Sequence, residues 1–98
     1  PVWVRKEHLP PAAVPGGVLF AKIGCLNCHF YLGTGGGFNG APDLTAEGRK
    51  NRGVGWQIRH LDCPSCLVSG SPMPSFRALG PVRLCRLAIF LEASKGGK

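Results

Sequence analysis

Negative charge is scarce in this chain. Five Asp and Glu face twelve Lys and Arg among 98 residues, a formal net charge of +7. Charged residues of either sign are 17% of the chain, below the ~25% of an average domain. Long apolar runs are missing as well. The densest are Val18-Leu19-Phe20-Ala21 and Leu87-Ala88-Ile89-Phe90-Leu91, far short of the ~20 residues a membrane span needs. No signal peptide is visible, and the chain begins at Pro1 without Met. The expectation is a processed or excised segment that has lost an anchor or a neighbouring domain. Internal repeats and basic helices interleaved with aromatics are absent, which argues against nucleic acid as a partner. A coiled coil, a collagen repeat and a large multidomain enzyme are excluded by length and composition.

What is present is 44% apolar residue content, 15 Gly and 9 Pro. Such a chain folds, but through short elements and many turns. At this size a single core is marginal, so a disulfide, a metal or a large apolar cofactor is expected to staple it. Five Cys are too few for a disulfide scaffold, and the odd count forbids complete internal pairing. Some Cys must have another task. The net charge is also lopsided: residues 1–48 sum to zero, and all of the +7 lies in residues 49–98. That asymmetry suits an anionic surface or an acidic protein partner, and equally a solvated basic face.

Residues 1–15 contain four Pro and no periodicity, and read as an extended arm or linker ahead of a domain over 16–98. Val18 to Ile23 has helical apolar spacing and is broken by Gly24. From Gly33 to Gly40 five of eight residues are Gly, a loop. A second helix is expected from about Val54 to Leu61, ended by Pro64. The clearest helix is Val82 to Ala93, where Leu84, Leu87, Ala88 and Leu91 share one face behind Pro81. The expected fold class is all-α, with three or more helices and long Gly/Pro-rich loops. Loops of that length need something to enclose.

Cys25-Leu26-Asn27-Cys28-His29 is C-x-x-C-H, the attachment pattern of c-type haem. Two thiols three positions apart on a helical turn reach the two vinyl groups as thioethers. The adjacent His then lies under the iron. A redox dithiol, half of a zinc site and chance are the alternatives. A zinc ribbon wants a second Cys pair about 12–20 residues on, and Cys63-Pro64-Ser65-Cys66 lies farther. The single Met, Met73, sits in Ser71-Pro72-Met73-Pro74-Ser75-Phe76, where the flanking Pro residues forbid regular structure. A lone Met is usually core filler on a helix or strand. One held in a stiff loop suits an axial thioether ligand, which raises the reduction potential.

Taken together these residues resemble the class I, monohaem cytochrome c family over about residues 14–95. The pattern reads Gly17-Val18-Leu19-Phe20, Cys25 to His29, Ala41-Pro42-Asp43-Leu44, Trp56 to Leu61, Met73-Pro74-Ser75-Phe76, and Leu84 to Leu91. The resemblance implies a small helical domain wrapped around one covalent haem c, held by Cys25 and Cys28 with His29 and Met73 as axial ligands. It implies that Gly17 and Phe20 meet Phe90 where the terminal helices cross. The Pro42 carbonyl would accept a hydrogen bond from His29 and fix the ring. Trp56 and Arg52 or Arg59 would lie near the haem propionates. Two features depart from the pattern. Cys63-Pro64-Ser65-Cys66 replaces an Asn-Pro stretch, and Cys85 lies in the last helix. No His follows Cys66, so a second haem is not expected. Haem attachment occurs outside the cytoplasm, where disulfides persist, so one disulfide among Cys63, Cys66 and Cys85 is expected. Cys63–Cys66 is the shortest to close, and redox activity of that pair is an alternative. His8 is expected exposed, and His60 a satisfied surface or boundary residue.

The function implied is one-electron transfer without catalysis, outside the cytoplasm, for a respiratory-type chain. The domain is free or tethered to a larger membrane-bound complex. The basic second half would steer a redox partner with an acidic docking surface. The alternative is a haem-based gas sensor or peroxidase-like enzyme in which Met73 is labile.

Overall fold

The computed structural model describes residues 9–36 and 43–96. It is mostly helical: α1 (Val14–Lys22), α2 (Val54–Asp62), α3 (Pro64–Leu67) and α4 (Pro81–Ala93), with 3-10 turns at Pro11–Ala13, Cys25–Asn27, Glu47–Lys50 and Arg77–Leu79. A two-stranded antiparallel hairpin, β1 (Phe30–Tyr31) and β2 (Thr34–Gly35), pairs Tyr31 with Thr34. No helix among the described residues is long and apolar enough to cross a membrane.

The first helix begins at Val14, four residues before the apolar pattern suggests. Pro15 is no obstacle, because a helix's first turn needs no backbone N–H there. The two Gly that follow weaken a helix by roughly 1 kcal/mol each relative to Ala. One of them is required by packing. Gly16 and Phe20 are four apart and face α4, where Arg86 and Phe90 are also four apart. A Cβ at Gly16 would collide with the Arg86 carbonyl and lie 2.8 Å from Phe90 Cβ. The terminal helices therefore approach closely at Gly16, and Gly17 beside it is buried too.

Above that crossing the rings of Phe20, Tyr31 and Phe90 form a trio, with centroids 5.0 to 5.6 Å apart. All three are buried, together with Leu61, Leu84, Leu87 and Leu91. Tyr31 Oη lies 2.7 Å from Ser94 Oγ, and the Ser94 hydroxyl donates to the Phe90 carbonyl at 2.8 Å. The hairpin is thus fastened to the end of α4. Leu9 packs against this core and Ala13 is fully buried. The domain therefore begins no later than residue 9, and an arm running to residue 15 is too long, because its last turn is helical and packed.

The hairpin has no strong sequence signal. Its turn, Leu32-Gly33, has φ of 48° and 79°, the type I′ pattern that suits a two-residue connection. Leucine is a poor residue for it. The Leu32 N–H is held by Thr45 Oγ1 at 2.7 Å, and Thr45 is held in turn by Asp43 Oδ1. Tertiary contacts, not local preference, impose this turn.

Candidate functional site

Gly24 follows α1 with φ of 95°, the left-handed conformation that ends a helix. The chain reverses there into the Cys25–Asn27 turn. Within it the N–H groups of Cys28 and His29 both donate to the Cys25 carbonyl, at 3.3 and 3.0 Å. This one-turn loop brings Cys25, Cys28 and His29 to a common wall.

That wall belongs to a cavity of about 420 Å³. The volume is within the ~300–1,000 Å³ of small-molecule and cofactor sites. Met73, with Pro72 and Pro74, also lines it. Phe20, Leu44, Leu61, Phe76, Leu87 and Leu91 make the apolar part of its surface. The C-x-x-C-H motif and the single Met, more than forty positions apart in sequence, thus open onto one cavity.

The Met loop is anchored on its C-terminal side to the end of α2. The Phe76 N–H donates to the Leu61 carbonyl at 2.8 Å, and Ser75 Oγ donates to the Asp62 carbonyl at 2.6 Å. Arg77 grips the Asp62 carboxylate through Nε at 3.0 Å and Nη2 at 3.1 Å. On the other side the Met73 N–H turns back to Ser71 Oγ at 3.3 Å. The Arg77 hydrogen bond holds the Asp62 carboxyl below its ordinary value. A carboxyl depressed on folding contributes above its unfolded pKa and loses that contribution as pH falls through its folded pKa. Arg77→Gln is therefore expected to raise the Asp62 carboxyl back toward the ordinary carboxylate range, read by carbon-detected NMR titration. An unchanged titration would show that Arg77 does not set it.

The polar end of the cavity is built from α2 and the Glu47–Lys50 turn. Glu47 is 6% exposed, and a buried charge needs partners. It has three: Arg52 Nε at 3.2 Å, Lys50 Nζ at 3.4 Å and Gln57 Nε2 at 2.9 Å. The Gln57 amide also donates to Glu92 Oε2 at 2.8 Å, tying the turn to α4. The Arg52 guanidinium lies 4.3 Å over the Trp56 ring, and Trp56 stacks on His60 at 4.9 Å. Burial pushes the His60 imidazole below its ordinary value. The Glu47 carboxylate opposes this, and the charges of Arg52 and His29 add to the fall.

Of the residues singled out in the sequence, Cys25, Cys28, His29, Met73, Arg52 and Trp56 all line the cavity. Arg59 does not. It shares the outward face of α2 with Gly55, four residues away, whereas Trp56 and His60 share the inward face. It borders a separate groove instead. Pro42, the first eight residues with His8, and residues 37–40 of the Gly-rich loop lie outside the described residues. His60 is not a bystander but part of the cavity wall, and its spacing of four from Trp56 was the available signal. Glu47 and Lys50 in the turn and Gln57 on α2 gave none, because a charged or polar residue shows which partners it meets only after folding.

Cys63 and Cys66 form a disulfide, and Cys25, Cys28 and Cys85 are free thiols. Burial pushes the Cys25 thiol up to about 12, with its own backbone hydrogen bond opposing and Cys28 adding to the rise. Redox-active C-x-x-C thiols are lowered, not raised. Among the described residues no three His, Cys, Asp or Glu side chains gather as a bare metal ion requires. No protein-family model matches the chain, and no curated protein or solved structure matches it.

Proposed function

We propose that the domain is a one-electron carrier with a covalently attached c-type haem in this cavity. The observation that carries the reading is the convergence of Cys25, Cys28 and His29 with Met73 on one largely apolar cavity. The donor set fits the group. Cys25, Cys28 and His29 do not gather as a bare metal ion requires, whereas a thiol pair, one imidazole and one thioether around one cavity suit a macrocycle that brings its own four nitrogens. Lys50, Arg52 and Trp56 at the polar end suit the carboxylates of such a macrocycle.

A bound haem would supply a reversible one-electron iron couple. The chain's part is to hold and tune it. Cys25 and Cys28 would form the thioethers, His29 would offer an imidazole nitrogen and Met73 a thioether sulfur. Pro72 and Pro74 restrict the Met loop, and its bonds to Leu61 and Asp62 hold the sulfur at its station. The leucines and phenylalanines exclude water, which favours the less charged iron state and raises the potential along with the Met ligand. A pinned Met loop supports the carrier over a sensor or peroxidase with labile Met73. The raised pKa of Cys25 weighs against a working dithiol, whose thiols are lowered. The excess of Lys and Arg in residues 49–98 suits an acidic redox partner. An extracytoplasmic setting, with or without a membrane tether, belongs to the same proposal, since the attachment chemistry occurs there.

The test is the mass of the polypeptide under denaturing conditions after export with the haem-attachment machinery. The wild-type chain is expected to carry one covalent haem. Cys25→Ala with Cys28→Ala is expected to carry none. An unmodified wild-type chain would discard the proposal.

A further inference from the structure

The Cys63–Cys66 disulfide is left unused by the haem reading. It lies in a groove of about 240 Å³ with Arg59, Asp62, Leu67 and Arg77, none of which lines the main cavity. Cys66 is exposed and Cys63 half-buried. Arg59 on α2 and Arg77 in the turn before α4 line the same groove. The Arg59 guanidinium lies back along α2 against Gly55, and the Arg77 guanidinium is taken up by the Asp62 carboxylate. Ser65 Oγ is 4.0 Å from Cys63 Sγ, close enough to donate to a sulfur anion. The disulfide therefore offers an accessible sulfur to attack and a hydroxyl beside the sulfur that leaves.

We propose that Cys63–Cys66 is a thiol–disulfide exchange site for a dithiol partner. A partner thiolate attacks the exposed Cys66 sulfur. A partner–Cys66 disulfide forms as the Cys63–Cys66 bond breaks, and the electron pair leaves on Cys63, which takes a proton from water. The partner's second thiolate then attacks the partner sulfur of the mixed disulfide. Cys66 leaves as a thiolate and is protonated. The partner dithiol becomes a disulfide, and two electrons and two protons pass to Cys63 and Cys66. The Ser65 hydroxyl donates to the departing Cys63 anion, which speeds exchange because a better leaving thiol leaves faster.

The experiment uses the native, haem-loaded chain with Cys85→Ser. It is exposed without denaturant to dithiothreitol or to reduced thioredoxin at equal dithiol concentration, quenched in acid, alkylated and mapped peptide by peptide. Oxidised glutathione under the same conditions is the comparator. Cys63 and Cys66 are expected to become labelled together, at least about tenfold faster than glutathione disulfide is reduced. Ser65→Ala, a surface change, is expected to slow the reaction about threefold or more. A much faster reaction with thioredoxin assigns the partner as a protein dithiol, and equal rates assign a small one. A rate at or below that of glutathione disulfide, or labelling only in denaturant, would overturn the proposal. Because Cys63 and Cys66 are mapped separately from Cys25 and Cys28, failure here is distinct from failure of haem attachment.

Discussion

Met73→Ala is expected to convert the iron from a closed, low-spin site to an open one. The reduced variant should bind carbon monoxide rapidly at neutral pH, where the parent does not. Its reduction potential should fall by a sizeable fraction of the roughly 0.8 V range that axial ligands command. The loop is the reason. The Phe76 and Ser75 bonds to the end of α2 hold the backbone in place after the side chain is cut. The loop therefore cannot easily bring in another ligand. His60 lines the same cavity, but its ring is stacked on Trp56 on the α2 side. Met73 is half-buried and packs against the core, so a stability loss of about 1–2 kcal/mol is expected alongside. An unchanged spectrum and potential would remove Met73 from the site. Rapid carbon monoxide binding by the parent would favour the sensor or peroxidase reading.

Gly16→Ala is expected to be among the most damaging additions of a single methyl group within the described residues. The new Cβ meets the carbonyl of Arg86, backbone on a neighbouring helix that cannot rotate aside. Overpacking of this kind costs about 1–3 kcal/mol, and a backbone obstacle places it toward the upper end. In a domain of this length that is a fall in Tm on the order of 10–20 °C. Gly55→Ala is the control. Gly55 is also helical, but a Cβ there meets only Arg59 Nη1 at 3.5 Å. The same change should stabilise by about 0.5–1 kcal/mol through the helix preference for Ala. Calorimetry on the two variants reads both effects. Equal, small shifts would mean that α1 and α4 do not approach at Gly16.

These contrasts show where the sequence was readable. The last helix was legible because Leu84, Leu87, Ala88 and Leu91 repeat at helical spacing, and all four are buried. The site's two ends were legible because C-x-x-C-H has a fixed chemical spacing and a Met between prolines has few structural uses. That they open onto one cavity was not legible, since it depends on how α1, α2 and α4 pack. That Gly16 meets the Arg86 carbonyl depends on the same packing. Arg52 and Arg59 were equivalent candidates in sequence, and only the folded chain shows that Arg52 lines the cavity and Arg59 a separate groove. The Leu32-Gly33 turn was invisible because its leucine opposes the conformation that Thr45 imposes. Glu47 reads as a surface charge until the turn carrying it is folded under α2.

The most direct test of the central claim is the visible absorption spectrum of the purified chain, oxidised and then reduced. The account predicts sharp low-spin bands on reduction. It also predicts, in the oxidised protein, the weak long-wavelength band that sulfur ligation gives ferric haem. A high-spin spectrum would contradict the Met73 assignment while leaving the haem. A colourless protein, after export with the attachment machinery, would contradict the account as a whole.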